Sequence, residues 1–499
     1  MKLQAGFWAV ALAVNALQNF ALRHTVVSDT VPYLEISDGM LNGDWARAVN
    51  TLWSPLYPAV LALLRAIVKP EPWWEFATVH AANFLIFGAT IAAFDFLIRA
   101  AGFHRNPYRL IIAYTAFLWA SLALIGPVST PDMLLFLFVY ISAGILIKIR
   151  NGDGSVGSFL LLGLSLGVGF LAKAPLFPLA PLFLLLAFEK TRRPAALAAG
   201  MAAFLLVAGP YVALLSQKEG RLTFGDSGRL NYLWHVNRFQ LYGDCVREQL
   251  QTSPPIYALR TNSTRNVSDP AYFDPGEWCR GITPQVSLKH QIFHTTKITA
   301  EFFEASPPSL FLGAVLACAV VTAGSILRGW PLILPCLVAF AMFSLVHVEW
   351  RYLAGFLVLA VMGIFEGLRP DRRTALAVAL AAGLAIPIAI SKQVYVLRNP
   401  AVHQEVAARL LELGLREGDP VATVIGGADN YWARLARVRI VALVPKEYIQ
   451  NFWGGSQQAS LETFRNLGAK IVVTSQVPAW RDVSSWKPLG YGYYAYWLR

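Results

Sequence analysis

The sequence predicts a polytopic α-helical membrane protein with a small C-terminal α/β domain. Three observations lead there. Of 499 residues, 56% are hydrophobic and only 14% are charged, and the mean hydropathy is +0.48; a soluble chain of this length carries roughly a quarter charged residues. Apolar blocks of bilayer length, about 17–24 residues, recur through positions 1–391. From about Val402 the composition turns to that of a soluble domain.

Taken in order, helices are predicted at 5–22, 77–99, 108–126, 131–149, 156–173, 175–190, 194–216, 306–327, 330–347, 352–368 and 373–391. The first follows Met1-Lys2 and could be read as a cleaved signal peptide. It has no clear small-x-small cleavage site and runs straight into Arg23-His24, so a retained helix is the better reading. The segment 55–69 (PLYPAVLALLRAIVK) is apolar but short for a span. If it crossed, the arginines of 99–109 (RAAGFHRNPYR) would fall outside; lying along the interface, it leaves them inside.

That choice also puts Lys2, Lys148, Arg150, Lys190, Arg192, Arg193, Arg328, Arg369, Arg372 and Arg373 inside. About eleven spans follow, with the N-terminus cytoplasmic and the C-terminal domain extracytoplasmic. The outside receives the first loop 23–76, short turns at 127–131 and 347–352, the long loop 217–305 and the tail from about 392. The net charge of +12 sits mostly in the short inner loops, a positive-inside bias rather than a nucleic-acid surface.

Cys318 and Cys336 lie in apolar segments and read as packing residues. Cys245 and Cys279 share the long loop, where a disulfide is expected if the loop faces an oxidising compartment. Two Asn-x-Ser/Thr sequons at Asn262 and Asn266 read as chance occurrences. Asp95, near the inner end of the second helix, is expected to pair with a loop arginine. The tail alternates apolar runs (VATVIG, RIVALVP, AKIVVTS) with helical patterns, which predicts a largely parallel sheet with GYGYYAYWLR as an edge strand.

Polar residues at helix ends on the outer side carry the functional signal. The first loop (SDTVPYLEISDGMLNGDWARAVNTLWSPLYP) offers Asp29, with Asp38 and Asp44 behind it. Later turns offer Asp132, Lys173 in LAKAPLFP, and His347, Glu349, Arg351 and Tyr352 in HVEWRY. Acidic groups at a membrane edge are costly unless they serve a partner. Each also has a plainer account: Asp132 as a helix cap, Lys173 reaching to headgroups, Arg351 and Tyr352 as an interfacial anchor. Together, a cation pair suits a lipid phosphate leaving group, and a carboxylate suits removing a proton from an acceptor hydroxyl. Tyr33, Tyr57, Tyr232, Trp234, His235 and His347 are candidate sugar or acceptor contacts.

In SDTVPYLEIS, GDW, SPLYP, PDMLLF, LAKAP and HVEWRY, the membrane part resembles the GT-C type integral membrane glycosyltransferases, in particular the family 39-like branch with protein O-mannosyltransferases and lipid A aminoarabinose transferases. The resemblance implies a GT-C-like fold over 1–391; the α/β domain, 392–499, is read from its composition and transfers no function from relatives. It implies sugar transfer from a polyprenyl-phosphate donor to a lipid, glycan or protein acceptor at the outer face of a bacterial inner membrane, by an inverting mechanism. Asp29 is then the base, Asp132 an acid beside it, and Lys173 and Arg351, with Tyr352, the phosphate site. Glu349 is an extra acid relative to the family pattern; it could assist catalysis, orient Arg351 or bind a metal. No cofactor is required by this reading, and a divalent metal held by Asp29, Asp132 and Glu349 is an option. A flippase of a lipid-linked sugar is the alternative function, although the chain lacks the internal repeats expected of a transporter.

Overall fold

The computed structural model describes residues 2–125, 128–259, 267–304, 308–322, 324–391, 401–424, 430–455, 457–475, 477–478, 481 and 483–498. Asn262 and Asn266 lie outside the described residues. The first helix, α1 (Lys2–Ala21), is followed by α2 (Thr30–Leu41), α3 (Leu56–Val68), α4 (Glu75–Ala100) and α5 (Pro107–Leu118). Helix α5 starts where Asn106 accepts hydrogen bonds from the backbone of Tyr108 and Arg109, with Pro107 at the first helical position. It continues as wider π-helical turns over Trp119–Ile125. Next come α6 (Asp132–Arg150), α7 (Val156–Ala172), α8 (Leu176–Thr191) and α9 (Pro194–Glu219). A Cβ at Gly163 would lie 2.0 Å from the Gly200 carbonyl oxygen. Glycine at that crossing therefore lets the backbones of α7 and α9 touch.

The long loop holds three short helices, α10 (Ser227–Asn231), α11 (Pro270–Phe273) and α12 (Pro275–Trp278), and ends in α13 (Leu288–Glu304). Helices α14 (Pro308–Val320), α15 (Trp330–Ser344), α16 (Trp350–Glu366) and α17 (Arg372–Ser391) complete the bundle. Each predicted helix thus has a counterpart. Among the described residues, five stretches can cross a membrane by length and composition: Pro72–Ala100, Pro107–Ile125, Asp132–Arg150, Pro194–Glu219 and Ile326–Ser344. A sixth arises if α13 and α14, bent by 83°, form one broken span. The expected eleven includes helices such as α7 and α8, of 17 and 16 residues, shorter than the roughly 20 residues that a perpendicular span needs. Helix α3 has 13 residues, with Leu63, Ile67 and Val68 exposed and Tyr57, Leu61 and Arg65 buried.

The α/β region adds helices α18 (Val402–Glu412), α19 (Tyr431–Leu435), α20 (Ile449–Gly454) and α21 (Gln457–Asn466). They flank one seven-stranded sheet built from β1 (Gln249–Thr252), β2 (Pro255–Ala258), β3 (Pro420–Val424), β4 (Arg439–Leu443), β5 (Ile471–Thr474), β6 (Lys487–Gly490) and β7 (Tyr493–Trp497). The spatial order is β1-β2-β4-β3-β5-β7-β6. Two expectations need correction. Only β4, β3 and β5 run parallel; the flanking pairs are antiparallel. The tail strand β7 is interior, between β5 and β6, so β6 forms that edge. The sheet also takes β1 and β2 from the long loop, through Tyr257 opposite Leu443 and Ala258 opposite Ala442.

Cys245 and Cys279 are joined in a disulfide, while Cys318 and Cys336 are free. Asp95 accepts hydrogen bonds from Gln4, Trp8 and Tyr114 rather than from a loop arginine.

Candidate active site

Asp29 occupies the cap position of α2 with helical backbone angles (φ −57°, ψ −22°), and its side chain caps nothing. The carboxylate is therefore left for other partners. Its Oδ1 accepts a hydrogen bond from the Tyr272 hydroxyl at 3.1 Å, and its Oδ2 lies 3.7 Å from Arg351 Nη2. It keeps 27% side-chain exposure, enough to be reached from the cavity that it lines.

Asp132, by contrast, is fully buried. It follows Pro131, which holds the cap position of α6 without a side-chain bond, so capping does not explain it. Its carboxylate accepts from Thr130 Oγ1 at 2.5 Å and from Lys173 Nζ, and sits 3.6 Å from Arg351 Nη1. An acid in a first helical turn is also favoured by the helix dipole. Asp132 does not line the cavity; it sets the two cations that do.

Lys173 ends α7 with an extended backbone (φ −158°, ψ 132°), which turns its side chain inward rather than toward headgroups. Its ammonium stands 4.5 Å over the Tyr352 ring, and the Arg351 guanidinium stands 5.0 Å over the same ring. Tyr352 thus forms a shared platform for both cations.

Glu349 precedes α16 and is engaged at both oxygens. Oε2 accepts from Arg351 Nε at 2.5 Å; Oε1 pairs with His347 Nε2 at 3.0 Å and accepts from the Tyr352 hydroxyl at 3.3 Å. Burial acts to raise its pKa, but the His347 hydrogen bond and the Arg351 charge outweigh it and hold the carboxyl down at about 2. Glu349 therefore orients Arg351 as a fixed anion. Arg351 stands among Asp29, Asp132 and Glu349, where a shared metal ion would have to sit. Among the described residues, no group of three His, Cys, Asp or Glu side chains is spaced to hold one.

His235 stacks flat on His347, with centroids 4.0 Å apart and an interplanar angle of 4°. Burial first, then His347 and His294, lower the His235 pKa to about 4, so this ring is neutral near pH 7. The cavity holds about 260 Å³; its lining includes Asp29, Tyr33, Lys173, Trp234, His235, His347, Glu349, Arg351 and Tyr352. Two further expected contacts stay outside it. Tyr57 is buried behind Tyr33 and bonds Asn83, and Tyr232 does not reach the lining. Tyr272, Trp53, Ser54 and Asn231 line the cavity without having been expected. For Tyr272 the one available signal was its place in the aromatic, proline-rich stretch DPAYFDPGEW.

Two further cavities adjoin. One of about 640 Å³ shares Asp29, His347, Glu349 and Arg351 and runs out past Ile298 and Phe302 of α13. The other, about 370 Å³, starts at Lys173 and Tyr352 and is walled by Pro178, Phe224, Met342, Phe343 and Val346. It is a largely apolar slot that begins at Lys173.

Fold and site together define a polytopic membrane protein with a paired-cation, carboxylate-lined cavity at its helix ends. No protein-family model matches the sequence, and no curated protein matches it significantly. Among solved structures, the chain is similar to ArnT from Cupriavidus metallidurans bound to undecaprenyl phosphate, at 16% identity and a TM-score of 0.49, over 98% of this chain and 97% of that one. It is similar to the same protein in the apo state at 16% identity and a TM-score of 0.45, over 94% and 92% of the two chains. It is also similar to the Archaeoglobus fulgidus oligosaccharyltransferase tethered with an acceptor peptide, at 11% identity and a TM-score of 0.45, over 94% of this chain and 69% of the other.

Proposed function

We propose that this protein is a GT-C type membrane glycosyltransferase. It takes one sugar from a polyprenyl-phosphate carrier at the extracytoplasmic face and passes it to a lipid, glycan or protein acceptor, with inversion. The observation that carries this reading is the juxtaposition around Arg351: a part-exposed carboxylate, Asp29, stands beside two cations that a buried acid holds in place, and an apolar slot starts at one of them, Lys173. A phosphate with a lipid tail matches the cation pair and slot together.

Asp29 takes the proton of the acceptor hydroxyl as its oxygen bonds to the anomeric carbon. The bond from that carbon to the phosphate oxygen breaks, and polyprenyl phosphate leaves with its charge on Lys173 and Arg351. Tyr272 keeps the Asp29 carboxylate aimed by donating to its Oδ1.

The test is turnover by the purified full chain in detergent, with short-chain polyprenyl-phosphate sugars and extracted membrane lipids. Wild type should release polyprenyl phosphate, and Asp29→Asn should lose about 10²–10⁴-fold in rate, the usual weight of a positioned base. Retained turnover in Asp29→Asn removes Asp29 from that role. Binding without release by wild type favours a flippase, and no binding removes the phosphate site.

A further inference from the structure

The α/β region touches α2, the helix that presents Asp29, through a buried ionic network whose residues do not line the cavity. Arg434 of α19 is 4% exposed. It donates through Nη2 to Asp38 Oδ1 at 3.1 Å and to Glu75 Oε1 at 2.7 Å, and through Nε to Glu75 Oε2 at 3.0 Å. Arg437 reaches the same two acids at 3.3 and 2.9 Å, and Arg65 of α3 at 2.7 and 3.0 Å. Asp38 lies nine residues after Asp29 on one helix, roughly 13 Å along a rigid rod.

A second route joins the same parts. The backbone N–H of Ile440, in β4, donates to the Ser268 carbonyl at 2.9 Å. Ser268 in turn donates through its N–H and Oγ to Glu35 Oε1 of α2, at 2.6 and 2.5 Å. Four residues on, Tyr272 donates to Asp29 itself. The sheet is thereby tied to the start, middle and end of α2.

We infer that the α/β region is part of the catalytic apparatus, and that Arg434 is a positioning residue that fixes the register of α2 and hence of Asp29. The inference rests on Asp29 acting as the base. An ionic cluster of this kind adds little stability over an apolar one, but its forked, bidentate geometry tolerates one arrangement. Lys173 and Arg351 take no part in the network; they are held by Asp132 and Glu349, and Arg351 meets α2 through the longer Asp29 pair, at 3.7 Å, so donor phosphate binding should change little when the network is loosened.

The experiment compares Arg434→Lys, which keeps the charge and loses the fork, with wild type and Asp29→Asn. Turnover and direct binding of a short-chain polyprenyl phosphate are both measured on the full chain. Arg434→Lys should lose about 10- to 100-fold in kcat, the scale of an ångström-sized misplacement, with phosphate affinity within about twofold of wild type, as for a group remote from the binding cations. If it fails to fold, the same split read on Asp38→Asn decides. Unchanged kcat, or a parallel loss of phosphate binding, overturns the inference while Asp29→Asn remains inactive. Activity in Asp29→Asn overturns the base reading and this inference with it.

Discussion

Asp132→Asn separates the two roles that a buried acid could play at this site. Asparagine keeps the shape and still accepts from Thr130, but it leaves Lys173 and Arg351 without a compensating charge. Unit charges 3.6 Å apart, as Asp132 and Arg351 are, attract by about 5 kcal/mol at an effective dielectric constant near 20. Breaking such a buried pair typically costs about 3–5 kcal/mol, so the empty variant should be less stable by an amount of that order. A donor phosphate brings its own negative charge to the same cations. In wild type it shares them with Asp132; in the variant it meets them uncompensated. Phosphate binding should therefore tighten by about tenfold, or ~1.4 kcal/mol, the remainder of the attraction being offset by desolvation. Turnover should fall, because the product is held by the same gain. Isothermal titration of the purified full chain with a short-chain polyprenyl phosphate reads the affinity. Equal or weaker binding by a folded variant refutes the assignment of Lys173 and Arg351 to the phosphate.

Tyr272→Phe should lower kcat by about 10- to 100-fold, because a hydrogen bond to a charged group is worth about 1.5–3 kcal/mol, while donor KM stays near wild type in steady-state kinetics. Unchanged kcat would mean that Asp29 is aimed without it. Glu35 gives a pH test. Burial raises its pKa from 4.5 to about 7, against the opposing pull of Arg434 and the Ser268 hydrogen bonds. Because the folded value is raised, its contribution to stability is full below about pH 4.5 and is lost as pH rises through about 7. At about 1.36 kcal/mol per pH unit this amounts to about 3 kcal/mol. Thermal midpoints should fall between about pH 4.5 and 7 in wild type, level off above that, and stay flatter in Glu35→Gln, which keeps the oxygen that Ser268 bonds; equal slopes would contradict this.

Much of the bundle was legible because a span needs an apolar block and punctuation, and both are local. Asp29, Lys173 and the HVEWRY residues were legible for a related reason, since charged side chains at helix ends stand out against apolar sequence. Helix α2 was not. Every position from Thr30 to Ser37 is buried, so no polar face marks a period of 3.6, and Pro32 in its first turn reads as loop. The partners of Asp38 and Glu75 were invisible for another reason: Arg434 and Arg437 lie some 350 residues or more away in sequence and carry no pattern that announces them. The strands QLQT and PIYA are too short and too mixed to separate from the loop around them.

The pairing of β2 with β4 has a consequence for how the chain is made. Tyr257 and Ala258 emerge about midway through the sequence, yet their partners Leu443 and Ala442 follow only about 185 residues later. Until then the hairpin of β1 and β2 presents an open rim of backbone donors and acceptors, the template on which foreign strands add. Cutting the chain after α17 would make that waiting state permanent. A shortened protein should express poorly and precipitate for a reason unrelated to catalysis, and its inactivity would say nothing about what the missing part does.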